Sequence, residues 1–474
     1  MEPAAATSVF VARIVLAVHT TKIPGRRHVL PFLKTTKTKT MKTRYYELTA
    51  SEFKWNLSAS KRITAWGFNE QLPGPVLRAE KGDTMIIRVK NELEEPTIIH
   101  WHGIQLPSRM DGTGESQKPI QPGEVFEYRF TVRDAGTFWY HSHHRETVQM
   151  ERGMYGALIV TDPSDPVVDD EKVFMIDDMK LDAINNFKRG NRLSRWIERH
   201  DGREGNTSLI NGKEQPVVSM HAGQTERWRF INAASARYFR LHLEGRTFKI
   251  LSTDGGLLEK PETVTELLVT PGERFDILAG PFEEGEEFYI ESLPYDRVTF
   301  LKAKRRQFAK VQVGERRESV ANIPVVLRSI EPLAAADATI TRKVKLSVGA
   351  SLKNGIDFLV NDKVHANDKP VNVGELQIWE VSNTSLMDHP FHLHGFFFQV
   401  LEINGKAPAY RSWKDTINLP PRSKAKIAWM PDNRPGVWMY HCHILEHHEA
   451  GMMANFEVVD PHVGELHAGH HHHH

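Results

Sequence analysis

One cysteine, Cys442, stands alone in a chain of 474 residues. No intramolecular disulfide is available, so the fold must be held by buried apolar surface. Long apolar runs are also missing: no stretch approaches the roughly 20 residues that a membrane-spanning helix needs, and the mean hydropathy is negative. Neither sign of charge dominates, with 61 lysines and arginines against 60 acids and a net charge of +1. That balance argues against nucleic acid as a partner, because no excess of positive charge is there to meet a polyanion. What remains is a chain with 40% hydrophobic residues, too long for one core and suited to two to four domains of about 100–150 residues.

The two ends read differently from the middle. Up to Lys42 the charged residues are almost all basic, among them Arg13, Lys22, Arg26, Arg27, Lys34, Lys37 and Lys39. Ser8 to Val18 is apolar but broken by Arg13 and followed by no convincing cleavage site, and the Arg26-Arg27 pair is not followed by an apolar segment. Residues 1–44 are therefore expected to be a leader or an added segment without fold, and 461–474 a tail ending in a histidine tag, His470–His474.

Between the ends, one pattern occurs three times. A glycine and an asparagine nine residues apart recur as Gly82/Asn91, Gly223/Asn232 and Gly374/Asn383. Pro122-Gly123-Glu124 matches Pro271-Gly272-Glu273, with Pro420-Pro421-Arg422 as a degenerate third, and strands begin at Gly136, Gly285 and Gly436. Within each copy, short β-branched and aromatic segments are interrupted by Gly, Pro and Asn every eight to twelve residues. This predicts an all-β protein of three Greek-key β-sandwich domains, at 45–162, 170–313 and 335–460. Arg189 to Gly205, charged and poor in strand formers, reads as a loop or short helix inserted in the middle domain.

Superposing the copies locates the chemistry. His100/His102 of copy one correspond to Leu241/Leu243 and to His392/His394, and His141/His143 correspond to Ile290/Ser292 and to His441/His443. On a strand, residues two apart leave the same face. Docking copy one on copy three thus brings eight imidazoles to one interface, a set suited to three copper ions, and leaves the middle copy without metal. Cys442 sits between His441 and His443 and leaves the opposite face. Its thiolate is a soft ligand suited to copper, and His447 and Met452 can join it in a His/Cys/Met site once the chain turns back. The partner of Cys442 in copy one is Ser142 and that of His447 is Thr147, so the sulfur site occurs once.

Blander readings apply to each piece alone. A single His-x-His is more often packing than ligand, and a lone buried cysteine behaves as a small hydrophobe. Four such pairs at repeat-matched positions leave those readings little room, and zinc has no use for a cysteine wired between two histidines. Met453 reads as core, and His144, His242 and His448 read as solvated or hydrogen-bonded neighbours.

The blocks His100-Trp-His-Gly103, His141-Ser-His143, His389-Pro-Phe-His-Leu-His394 and His441-Cys-His443 with His447 and Met452 together resemble the three-domain multicopper oxidases of the bacterial laccase kind. The resemblance covers roughly residues 45 to 460 and implies cupredoxin-like domains holding four copper ions. It implies a type 1 copper on His389, Cys442 and His447 with Met452 axial, and a type 2 copper on His100 and His392. It also implies a type 3 pair on His102, His141, His443 and on His143, His394, His441. Asp111 resembles the acid that supplies protons to the cluster. The implied activity is one-electron oxidation of phenols or aromatic amines, the electron entering at the edge of His447 and passing through Cys442 to His441 and His443, coupled to reduction of O2 to water. The alternative is oxidation of Cu(I) or Fe(II) in metal tolerance, and an inert copper-binding protein is the third reading. The scattered methionines Met150, Met154, Met387, Met430 and Met439 favour organic donors. The expected partners are a small reducing substrate and O2, with no nucleic acid, no membrane span and a monomeric chain. The family suggests an extracytoplasmic location. One departure stands out: many bacterial members carry an acid directly after the His447 position, and here it is His448, with Glu449 next.

Overall fold

The computed structural model describes residues 41–188, 191–297, 299–300, 302–352 and 354–461. The expected leader lies outside these residues up to position 40, as does the tail from 462. The first strand, Thr43–Asn56, already pairs at Thr43 with Thr84, so the last two residues assigned to the leader belong to the first sheet.

Among the described residues, six principal sheets follow one another in pairs along the chain. In the first pair, Thr43–Asn56, Arg62–Phe68, Thr84–Asn91 and Val125–Thr131 face Gly74–Glu80, Ile99–His102, Gly136–Ser142 and Tyr155–Thr161. Alternation builds the core: Met85, Ile87 and Val89 point inward from one strand, and meet Trp101, Tyr140 and Leu158 from the facing sheet. The third pair repeats this with Val344, Trp379, Val381 and Ile427 against Phe391, Leu393 and Tyr440. Both belong to one continuous apolar cluster, whereas the middle copy has a core of its own around Trp228, Phe239, Ile277 and Phe288.

The recurrent asparagine explains why the repeats superpose. Each is buried, and each donates its side-chain amide to backbone carbonyls: Glu95 and Ile120 for Asn91, Arg237 and Val269 for Asn232, Met387, Leu419 and Pro420 for Asn383. Each also accepts from the amide two residues on, at Leu93, Ala234 and Ser385. An amide so saturated fixes the loop that delivers the next strand. In copies one and three that strand carries the histidines.

Three short α-helices, α1 (Glu146–Gln149), α2 (Arg192–Asp201) and α3 (Leu445–Glu449), and one 3-10 turn at Ser108–Met110 complete the described residues. Helix α2 lies in the segment expected to be inserted. It starts where Asn191 accepts from the Ser194 amide and stops at Gly202, whose φ of +78° breaks the helix. A Cβ at Gly202 would lie 2.4 Å from Ala236 and 2.6 Å from Ile444, so only glycine lets the end of α2 close on the segment that follows the Cys442 strand.

Candidate metal centres

The strand Gly436–Cys442 does what alternation requires. Cys442 Sγ lies 3.5 Å from His389 Nδ1 and 3.6 Å from His447 Nδ1, and those two nitrogens are 3.2 Å apart. All three residues are wholly buried. Hydrogen bonds decide which imidazole nitrogens face the sulfur. His447 Nε2 is 2.9 Å from the His200 carbonyl, which can only accept, so Nε2 carries the hydrogen and Nδ1 offers a lone pair. His389 Nε2 meets Ser385 Oγ at 2.9 Å; that hydroxyl spends its own hydrogen on Asn383 Oδ1, which again leaves Nδ1 as the lone pair. Phe358 stacks on the His447 ring at 3.9 Å. Met452 is buried and tied by its backbone to both neighbours, donating to the His447 carbonyl and accepting from the Cys442 amide. Burial pushes the Cys442 thiol up and holds His389 at about 3, so the imidazoles are neutral and the sulfur needs a cation to ionise. A soft thiolate with two neutral imidazoles fits copper.

In copy one the same place is filled without metal ligands. Thr97 and Ser142 both donate to Gln149 Oε1, at 2.8 and 2.5 Å. Hydroxyls and an amide satisfy one another where copy three presents a thiol and two imidazoles.

On the other face, the eight remaining histidines converge between copies one and three. His392 is paired with His441, and His100 with His141, across neighbouring strands. His394 Nε2 and His441 Nε2 are 2.9 Å apart, and His143 completes that group. His102, His141 and His443 form a second group with ring centroids 5.1 to 5.8 Å apart, and His100 and His392 face each other at 6.0 Å. Outer partners again orient the rings. Nδ1 of His100, His141, His392 and His441 donates to the carbonyls of Asp111, Ser142, Asp415 and Cys442. His394 Nδ1 donates to the Asp111 carboxylate and His143 Nδ1 faces Glu146 at 3.1 Å. Nε2 of His100, His141, His143 and His392, Nδ1 of His102 and both nitrogens of His443 are buried with no partner among the described residues. An unpaired buried imidazole nitrogen costs on the order of 1–3 kcal/mol, so this many aimed at one space fit bound cations. Burial and mutual repulsion hold His141, His143, His394, His441 and His443 well below their usual range, which keeps them neutral ligands.

Several residues of the site gave no signal in sequence. Asp415 accepts from His102 Nε2 at 3.3 Å and holds both ends of the Arg274 guanidinium at 2.6 Å. Burial opposes ionisation there, but Arg274 outweighs it and holds the carboxyl well below its usual range. Arg274 comes from the middle copy, as does Gly272. Its φ is +87°, and a Cβ there would strike the His443 ring at 2.8 Å. His448, expected to be solvated or hydrogen-bonded, is buried, stacks on His441 at 4.2 Å and lies 2.8 Å from Glu146. Burial favours the neutral ring, but Glu146 overrides it and raises the His448 pKa. The carboxylate absent after His447 is thus supplied by the first copy. Asp111 acts on two rings at once, its carbonyl on His100 and its carboxylate on His394. His144 is half-buried, and His242 donates outward to the Thr265 carbonyl.

Models of the multicopper oxidase family match residues 49–165, 174–305 and 337–462. A multicopper oxidase of Staphylococcus aureus is 30% identical over 430 residues, covering 87% of this chain and 88% of that protein. The chain belongs to the multicopper oxidase family. Among solved structures it is similar to a multicopper oxidase from Campylobacter jejuni described as a metallo-oxidase, with TM-score 0.78, 31% identity and coverage of 88% and 91%. It is also similar to a laccase from Pediococcus acidilactici, with TM-score 0.76, 30% identity and coverage of 88% and 90%. This multicopper oxidase is therefore a copper-dependent oxidoreductase that uses O2, built of cupredoxin-like domains. The similarity spans both laccase and metallo-oxidase branches.

Proposed function

We propose that this multicopper oxidase is a laccase, taking electrons from phenols or aromatic amines. When bound, four coppers supply the redox chemistry, accepting electrons singly and reducing O2 to water. His389, Cys442 and His447 with Met452 would hold the type 1 ion, and His100 and His392 the type 2 ion. His102, His141 and His443, and His143, His394 and His441, would hold the type 3 pair. The chain's own part is orientation and exclusion of water. Carbonyls and carboxylates select the tautomer of nearly every ring, while Cys442 and its two flanking histidines give the shortest covalent route between the centres. Asp111 and the Glu146–His448 pair are placed to move protons at His394 Nδ1 and beside His143 and His441.

The observation that carries the reading is the surface above His447. It presents Trp196, His200 and Phe300, while of the scattered methionines Met150, Met154, Met387 and Met439 are at most 5% exposed and only Met430, just after the strand Lys424–Trp429, is open to solvent at 44%. A soft metal-ion donor would need exposed sulfur ligands there. The competing reading, a metallo-oxidase, draws support from the Campylobacter jejuni neighbour. Oxygen uptake by the copper-loaded protein, recorded in parallel with a phenol, Cu(I) and Fe(II), decides between them. Turnover of the metal ions alone overturns the laccase reading.

A further inference from the structure

The sequence reading had substrate meeting the edge of His447. In the structure that edge is closed: His447 is wholly buried, its outer nitrogen bonded to the His200 carbonyl near the end of α2. The middle copy, which holds no copper ligand, has placed a helix between the type 1 side chains and solvent. What solvent meets is an aromatic surface. Trp196 stacks on His200 with centroids 5.6 Å apart, and Phe300 packs on both at 5.7 and 5.2 Å. Trp196 is 38% exposed and Phe300 59%. The surface is built rather than incidental. Buried Asp201 holds the His200 ring at 2.7 Å and the Phe300 amide at 2.9 Å, and its own carbonyl is held by Arg297. The turn of the third copy at Gly355 closes against the Trp196 indole.

Charge flanks the rings on one side. Arg192 and Arg199 stand four residues before and three after Trp196, so a helix of 3.6 residues per turn sets both beside it. No carboxylate of the described residues pairs with either, and Arg199 Nε is buried without a hydrogen-bond partner. His200 stands four residues after Trp196, on the side that leads inward to His447.

Resting on the laccase reading above, we infer that the Trp196–His200–Phe300 platform is the electron-entry site, and that its occupant is a phenol bearing an anionic substituent, such as a hydroxybenzoate. The ring stacks on Trp196 and its carboxylate meets Arg192 and Arg199. The bound phenol loses one electron and its phenolic proton and leaves as a phenoxyl radical. The proton goes to bulk water, and the electron would pass through the His200 backbone and its hydrogen bond to His447 to the copper that His447 would hold, which takes it up. Oxygen reduction, the activity of the family, reoxidises it. Trp196 binds the donor, and the His200 carbonyl links donor to acceptor.

Two measurements on the full-length, copper-loaded protein test this. In the anaerobically reduced form, saturation-transfer NMR reads binding of veratrate, a methoxybenzoate that lacks the oxidisable hydroxyl. Signal is expected for the wild type and Trp196→Phe, is weakened by high salt, and is lost in Trp196→Ala. In air, Trp196→Ala is expected to raise KM for syringate about tenfold, the size of one lost aromatic stack with its ionic neighbour. The blue absorption stays unchanged. Arg192→Gln with Arg199→Gln raises KM for syringate and leaves uncharged syringol alone. Equal veratrate binding and equal KM in Trp196→Ala and wild type overturn the platform. Should Trp196→Ala lose its blue colour, Trp196→Phe decides: wild-type binding and KM there support the platform, and their loss overturns it. Veratrate that binds at Trp196 in a protein unable to oxidise any phenol supports the platform as a binding site and overturns the laccase reading instead.

Discussion

Arg274→Met tests whether the copperless middle domain holds the oxygen site together. All five N–H groups of Arg274 are used. They go to the Thr137 carbonyl in the first copy, the Gly272 and Asp254 carbonyls in the second, and both carboxylate oxygens of Asp415 in the third. The side chain is completely buried. Methionine fills a similar length but leaves Asp415 without its cation, while Asp254 keeps Lys414 at 3.1 Å, and breaking a buried pair costs about 3–5 kcal/mol because a charge stays behind unpaired. For a cooperative unit of this size that is about 1 °C in Tm per kcal/mol, so a fall of at least about 3 °C is expected. Asp415 also sets His102 and His392, so bound copper should drop from four ions towards three while the visible blue band, which belongs to the opposite face of the strand, persists. Copper quantification, the type 2 electron paramagnetic resonance signal and thermal unfolding read this out. Adding Asp415→Asn should restore part of the lost stability by removing the stranded charge, and Arg274→Lys should rescue stability better than metal loading, since an ammonium cannot reproduce the fork. A variant that binds four coppers and unfolds within about 1 kcal/mol of wild type would refute the reasoning.

Cys442→Ser exchanges a soft ligand for a hydroxyl that stays protonated, so absorption spectra should lose the intense visible band, bound copper should fall by one, and phenol oxidation should cease; a blue variant would show that the sulfur is not the ligand. Glu146→Gln removes the carboxylate charge that faces both His143 and His448 and leaves one accepting oxygen where there were two, which should lower oxygen uptake by about 10- to 100-fold at saturating phenol, whereas an unchanged rate would leave Glu146 a purely structural role. In copper-free protein, His389 and His447 are neutral when folded and become protonated when unfolded below about pH 6.5. The unfolded chain then binds more protons, so stability is complete above pH 6.5 and is lost as pH falls towards the folded value of about 3 for His389, at roughly 1.4 kcal/mol per pH unit and group. Denaturant titrations at stepwise lower pH should show this, and a flat profile between pH 6.5 and 5 would contradict the buried neutral rings.

The sequence alone determined the sandwich class, the threefold repeat and the repeat-matched His-x-His pairs on either side of the Cys442 strand position, because each rests on spacing. A period of two sends Cys442 one way and His441 and His443 the other whatever surrounds them, and the repeat asparagines mark equivalent loops in every copy. Tertiary structure decided the rest. Asp415, Arg274 and Glu146 lie in three different copies and carry no local pattern, so no spacing could show that they act on His392, His102, His143 and His448. The carboxylate missing after His447 is another case, since it returns through Glu146 from some 300 residues away. Nor could composition show that helix α2 caps His447. An amphipathic turn ending at glycine is written locally, but the side chain it covers is set by packing between domains, where long-range contacts and desolvation, not periodicity, choose the partner.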